Sequence, residues 1–96
     1  MAIQITYNTG IYEIKGLLNS QNSVYLENHL NTLMADSSGI VVSLEKLIAI
    51  DQYAAKSVVA LQVKAEKKHK MFYIIGRKNK NVVDQFDALH HSDLLL

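Results

Sequence analysis

The chain has no cysteine, no proline and no long apolar run. Without cysteine it can form neither a disulfide framework nor a thiolate metal site. No apolar stretch approaches the roughly 18 residues that a membrane-spanning helix needs. The segment from Met1 to Gly10 has neither the basic start nor the apolar core of a secretory leader. These absences predict a soluble, cytoplasmic protein without membrane insertion.

The composition fits one globular domain, residues 1–96. A chain of this length buries about 60–65% of its unfolded surface. With 49% hydrophobic and 20% charged residues, the chain is not of the disordered class. The net charge of +1 gives no overall electrostatic preference for a partner. Seven of the ten lysines and arginines (positions 64, 67, 68, 70, 77, 78 and 80) nevertheless fall within Lys64–Lys80, here called the basic segment.

Hydrophobic periodicity predicts strands and helices that alternate along the chain. Asn8-Thr9-Gly10 indicates a hairpin turn, because Asn and Gly tolerate positive φ. The predicted strands are Ile3–Tyr7, Ile11–Lys15, Ile40–Leu44 and Met71–Ile75, and the predicted helices begin at Asn19 or Ser20, at Gln52, and at Asn79 or Asn81. This order predicts an α/β domain with a mixed sheet of four to five strands and about three helices. Leu94–Leu96 should avoid water, either as a short last strand or against another molecule.

The stretch Gly39–Lys70 organises the rest of the chain. In it a buried strand is followed by a short apolar linker, Leu47–Ile50, then by Asp51 and a helix. The Asp51 carboxylate can accept a hydrogen bond from an amide of the first helical turn, which predicts an N-cap worth about 0.5–2 kcal/mol. Four apolar residues are spaced to lie on one face of this helix: Ala54, Val58, Leu61 and Ala65. An exposed helix N-terminus after a buried strand is a common position for recognition.

Side chains that could carry chemistry are scattered along the sequence. Zinc requires three or four converging ligands, and the isolated histidines do not supply them: His29, His69, His90 and His91. Asp84 and Asp87 are spaced i, i+3, which favours a solvated helix face over an acid/base pair. Neither a Gly-x-Ser-x-Gly elbow nor a glycine-rich phosphate loop is present. The sequence therefore predicts no catalytic residue, no metal site and no cofactor.

The basic segment admits two interpretations. Nucleic-acid binding is disfavoured, because the segment's aromatic residues Phe72 and Tyr73 lie within a predicted strand instead of forming an exposed stacking platform. Lysines in the last turn of the second helix also stabilise that helix end electrostatically. We therefore expect a solvated surface, with an acidic partner protein as the alternative.

Three motifs stand out in sequence order: Gly16-Leu17-Leu18-Asn19 before the first helix, Leu47-Ile48-Ala49-Ile50-Asp51 before the second, and Val82-x-x-x-Phe86-Asp87 in the third. Together they resemble the STAS domain, shared by bacterial anti-sigma-factor antagonists and the cytoplasmic tails of sulphate transporters. The resemblance covers nearly the whole chain. It implies a small α/β domain without catalytic activity that acts in partner switching. In that family a kinase-type anti-sigma factor binds the domain, and phosphorylation of a Ser or Thr just after the Asp releases it.

The chain departs from the family pattern at this phosphorylation site. Where the family reads Asp-Ser-Ser/Thr-Gly, this chain reads Asp51-Gln52-Tyr53-Ala54, and Asn19 replaces the usual Asp before the first helix. A phosphate on Ser would add about −1.5 to −2 charge next to the first-turn amides. The phenol oxygen of Tyr53 lies a ring's length from the backbone, so a phosphate there would project past those amides. We expect the Ser/Thr phospho-switch to be lost, so that a Ser/Thr kinase of the anti-sigma type does not phosphorylate the helix start, where Tyr53 occupies the family's position.

The resemblance and the Asp51 junction together predict a binding surface for a protein partner, an anti-sigma factor of the kinase-like class. The expected contact residues are Asn19, Ser20, Asp51, Gln52, Tyr53 and Lys56. Tyr53 is either a rigid aromatic anchor for that partner or a cover folded over the helix start.

Other functions fit the same fold. The main alternative is a constitutive subunit docked on the ATPase of an ABC-type lipid transporter. An exposed Leu94–Leu96 run would suit this role, because docking would bury it. The sequence is also compatible with a homodimer. Small-ligand binding and hydrolase activity have no sequence feature of their own.

Overall fold

A computed structural model describes residues 3–96. Residues 1 and 2, part of the segment considered above for a secretory leader, lie outside this range. In chain order the elements are β1 (Ile3–Asn8), β2 (Ile11–Leu18), α1 (Ser23–Ala35), β3 (Gly39–Ser43), β4 (Leu47–Ile50), α2 (Gln52–Lys67), β5 (Met71–Ile75), α3 (Lys80–Ala88) and a 3₁₀ helix (Ser92–Leu94). The described residues thus form a five-stranded mixed sheet with three α-helices, which confirms the predicted fold class.

The sheet is antiparallel only at the β1–β2 hairpin. Its order is β1-β2-β3-β5, and β3, β4 and β5 all join through parallel pairings. β3 and β4 pair with successive parts of β2: Ser43 lies opposite Glu13, and Leu47 lies opposite Gly16. β4 therefore continues the line of β3 after a short break, and the ends of β2 and β4 finish side by side.

One face of the sheet is packed and the other is open. Along β5, Phe72 and Ile74 are buried, whereas Met71 and Tyr73 are exposed. The buried apolar side chains form one contiguous cluster to which every strand and every α-helix contributes. The predicted inward face of α2 belongs to this cluster in full: Ala54, Val58, Leu61 and Ala65.

The structure corrects three predictions near the candidate site. Leu47–Ile50 is a strand, not a linker, because its backbone pairs with β2. β2 itself continues to Leu18 through an irregularity at Gly16, whose φ of +105° favours glycine. α1 begins at Ser23 and not at Asn19 or Ser20, because residues 19–22 form a separate turn.

Residues 92–96 meet the sheet without forming a regular strand. Leu95 is 1% exposed and pairs with Ile74 as an isolated parallel bridge. Leu94 packs against the core, whereas Leu96 remains 59% exposed. Most of this leucine run is therefore covered by the chain itself.

Candidate functional site

The candidate site lies where β2 and β4 end. Leu18 and Ile50 are paired across the two strands, and the Asp51 N–H donates to the Leu18 carbonyl over 3.2 Å. Because parallel strands end at the same edge of a sheet, the segment after β2 and the start of α2 meet there. Asn19 and Ser20 are thus brought next to Asp51, as predicted.

The Asp51 carboxylate joins these two segments. Its Oδ1 accepts a hydrogen bond of 2.8 Å from the Ala54 N–H, which confirms the predicted N-cap. Its Oδ2 accepts a second bond of 3.1 Å from the Ser20 N–H, 31 positions earlier in the chain. The carboxylate thus acts as a structural clamp between the turn before α1 and the first turn of α2.

The turn of residues 19–22 is held by its own side chains. Asn19 Oδ1 accepts from the Gln21 N–H over 2.9 Å. Asn22 Oδ1 accepts from the Asn19 N–H, and Asn22 Nδ2 donates to the Leu17 carbonyl. Asn19 therefore shapes the turn before α1, while Asn22 occupies the position at which the helix starts.

The remaining predicted site residues lie on the first turns of α2. Tyr53 is 55% exposed, and Gln52 and Lys56 are exposed as well. Tyr53 therefore does not cover the core. The residue of this turn that packs into the core is Ala54, which is fully buried. Ser57 is half-buried further along the helix.

Exposed apolar side chains beside these residues were missed from the sequence. Leu17 and Ala49 are exposed and paired across β2 and β4, close to Asp51. Ile48 is exposed as well. Treating Leu47–Ile50 as a linker hid the strand geometry that exposes these side chains. Ordered amides, an exposed tyrosine and apolar neighbours together suit protein contact.

Two further findings concern residues 3–96 as a whole. No three His, Asp or Glu side chains in this range come close enough together to hold a metal ion. Every helix in the range is too short or too polar to cross a lipid bilayer.

Comparison of the sequence with protein-family models and with curated proteins finds no match. Solved structures do match. The anti-sigma factor antagonist SpoIIAA in its unphosphorylated form aligns with a TM-score of 0.76 and 15% identity, over 99% of this chain and 86% of that one. An anti-sigma factor antagonist from Mycobacterium paratuberculosis aligns with a TM-score of 0.67 and 16% identity, over 97% of this chain and 82% of that one. The chain therefore has a STAS-like fold, similar to that of these anti-sigma factor antagonists.

Proposed function

We propose that the chain is a non-enzymatic protein-interaction module that binds a regulatory protein through the N-terminal end of α2. The main support is the clamp at Asp51, which ties the turn of residues 19–22 to the helix start and leaves Tyr53 exposed beside it. The likeness in fold to anti-sigma factor antagonists favours a partner of the anti-sigma factor class. On this proposal the protein acts in the cytoplasm, in transcription regulation.

The proposed module works without a Ser/Thr phospho-switch. Two amides at this end of the molecule, those of Ser20 and Ala54, already donate to Asp51. A phosphate would therefore have to compete with a charged, well-placed carboxylate for these donors. Tyr53, at the family's phosphorylation position, carries its hydroxyl outward on an exposed ring.

Incubation with an anti-sigma-type Ser/Thr kinase and ATP tests the loss of the switch. We expect mass spectrometry to find no phosphate on the wild-type protein. Tyr53→Ser is the matched variant, because it restores a short hydroxyl at the same helix position. Phosphate on Tyr53→Ser alone would support the proposal, whereas stoichiometric phosphate on wild-type Ser57 or Ser20 would contradict it.

Quantitative affinity capture from native lysate tests the binding surface. Tyr53→Ala should lose the specific partner, because the variant removes the exposed ring and leaves the Asp51 clamp intact. The matched control is Tyr73→Ala, since Tyr73 is 46% exposed on the open face of the sheet. Equal recovery of the partner by both variants would contradict the proposed surface.

The identity of the captured protein separates this function from the transporter alternative. An ATP-binding protein of the kinase-like class is expected, whereas an ABC ATPase would favour a transporter subunit. That alternative was supported by the expectation that Leu94–Leu96 is exposed, but Leu95 is buried and Leu94 packs against the core. The remaining exposed leucine, Leu96, is a small surface for permanent docking.

A further inference from the structure

The basic segment forms two separate surfaces in the fold. β5 lies between them, so Lys64–Lys70 precedes the strand and Arg77–Lys80 follows it. Five strand residues span about 16 Å, which keeps the two groups of charges apart. The first group borders a groove.

This groove lies between the C-terminal ends of α1 and α2 and has a volume of about 170 Å³. Met34, Ala35 and Ala65 contribute apolar surface to it. Lysines and one amide complete its lining: Lys64, Lys68, Lys70 and Asn31. A cavity of about 150 Å³ holds a benzene-sized group, so the groove has room for one apolar side chain.

Lys70 and the other two groove lysines have different roles. Lys70 Nζ donates to the carbonyls of Met34 and Ala35, and so closes the C-terminal end of α1. Lys64 and Lys68 have no carboxylate within salt-bridge distance among residues 3–96, where the ion pairs join Lys46 to Glu13 and Lys80 to Asp84. Their charges are therefore available to a ligand.

Stabilisation of the C-terminal end of α2 explains only part of the positive charge beside the groove. The C-terminal dipole of α2 is equivalent to about half a negative charge. Three lysines place positive charge at this helix end: Lys64 and Lys67 in the last turn and Lys68 at the C-cap. The acidic residues nearest in sequence, Asp36 and Glu66, form no ion pair in the described residues, and Glu66 accepts instead from Gln62 Nε2 over 3.5 Å. A net positive rim thus surrounds an apolar floor.

We propose that this groove binds an acidic peptide segment of a partner protein, with one apolar side chain seated between flanking carboxylates. Nucleic acid fits less well, because no aromatic side chain lines the groove for base stacking and no arginine lines it for bidentate phosphate contact. The site lies at the opposite end of α2 from Asp51, about 24 Å away for a helix of 16 residues. It is therefore a second surface, independent of the proposed Tyr53 contact.

Fluorescence anisotropy with the full chain tests this proposal. The probe is a short labelled polyglutamate peptide with one central leucine, and its control has serine in place of that leucine. We expect the leucine peptide to bind about tenfold more tightly than the serine peptide. Lys64→Glu with Lys68→Glu should weaken binding of the leucine peptide by at least about tenfold.

Three further variants serve as controls. The first two distinguish binding in the groove from attraction to positive charge in general. Lys78→Glu with Lys80→Glu changes the net charge equally at the other basic surface and should leave peptide binding unchanged. Ala35→Leu fills the groove without altering charge and should remove the preference for the leucine peptide. Tyr53→Ala should bind the peptide like wild type, so the two proposals can fail separately.

Three results would overturn the inference. The first is equal binding of the leucine and serine peptides to wild type. The second is an equal loss of affinity in both double lysine variants. The third is displacement of the peptide by oligothymidylate at the same concentration as by unlabelled peptide, which would indicate a general polyanion surface.

Discussion

Among single residues, Asn79 joins two segments of the chain through five side-chain hydrogen bonds. Its Nδ2 donates to the carbonyls of Leu44, Glu45 and Leu47 over 2.9–3.2 Å. Its Oδ1 accepts from the N–H groups of Asn81 and Val82 and so caps α3. One amide therefore holds the break between β3 and β4 against the start of the third helix.

Both roles of Asn79 can be measured separately. Asn79→Asp keeps the cap but places a carboxylate against three carbonyls, so we expect a loss of about 2 kcal/mol in the free energy of unfolding. Asn79→Ala also loses the cap and should cost about 2–3 kcal/mol. Urea denaturation provides the measurement. Asn81→Ala is the control, because Asn81 Nδ2 makes one exposed bond to the Ile48 carbonyl; an equal cost for it would contradict this account.

Ser23 presents the opposite case, a buried hydroxyl without a partner. It is 1% exposed, and its Oγ has no hydrogen bond within residues 3–96. Ser23→Ala should therefore leave the unfolding free energy unchanged or raise it by about 1 kcal/mol, since the cost of burying the hydroxyl disappears. Ser37→Ala should lower it, because Ser37 Oγ donates to the Leu33 carbonyl over 3.1 Å. Thermal unfolding of both variants tests this difference, and a marked loss in Ser23→Ala would reveal a partner.

The β1–β2 hairpin was predictable because its signal is local. Asn8 pairs with Ile11, which leaves Thr9 and Gly10 as a two-residue turn. Their φ angles are +47° and +89°, as a turn of type I′ requires. Glycine adopts this conformation readily, whereas β-branched threonine is strained in it. The turn thus contains one suitable residue and one unfavourable one.

Replacing the strained residue should stabilise the hairpin. Thr9→Asn creates Asn-Gly, the preferred pair for this turn, and should raise the unfolding free energy by about 1 kcal/mol. Chemical denaturation measures the change. The same replacement within β1, Thr6→Asn, should lower stability, because asparagine is unfavourable in strands. Stabilisation by both variants would show that the turn is not the cause.

β4 shows where local reasoning fails among the elements. Leu47–Ile50 is short and lacks alternation, and its burial pattern is buried at both ends and exposed in the middle. It is a strand because β2 supplies its hydrogen-bond partners, from about 30 positions away in the chain. Such a partner cannot be found by periodicity, which records only which faces of a segment are buried. The missed strand also hid Ile48 and Ala49 as exposed neighbours of the site.

For the whole molecule, the fold class could be predicted from the order of the elements. The geometry of the candidate site could be predicted only in part. The cap from Asp51 to Ala54 spans three residues and was predictable from the sequence alone. The bond from Ser20 to the same carboxylate spans 31 residues and needed the parallel pairing of β2 with β4. The division of the basic segment likewise depends on β5, since a linear charge count does not show which lysines share a surface.

Leu95 ties residues 92–96 to the cooperative unit. It is 1% exposed within the single core cluster, and its carbonyl accepts from Arg77 Nε over 2.9 Å. Leu95→Ala should therefore lower the global unfolding free energy by about 2–5 kcal/mol, with one transition still observed. Leu96→Ala, at a side chain 59% exposed, should change it by less than about 0.5 kcal/mol. Hydrogen exchange of core amides in α2 and β3 provides the second readout, because loss of a core leucine must raise their exchange together. If Leu95→Ala increased exchange only in residues 92–96, this segment would be an appendage and not part of the core.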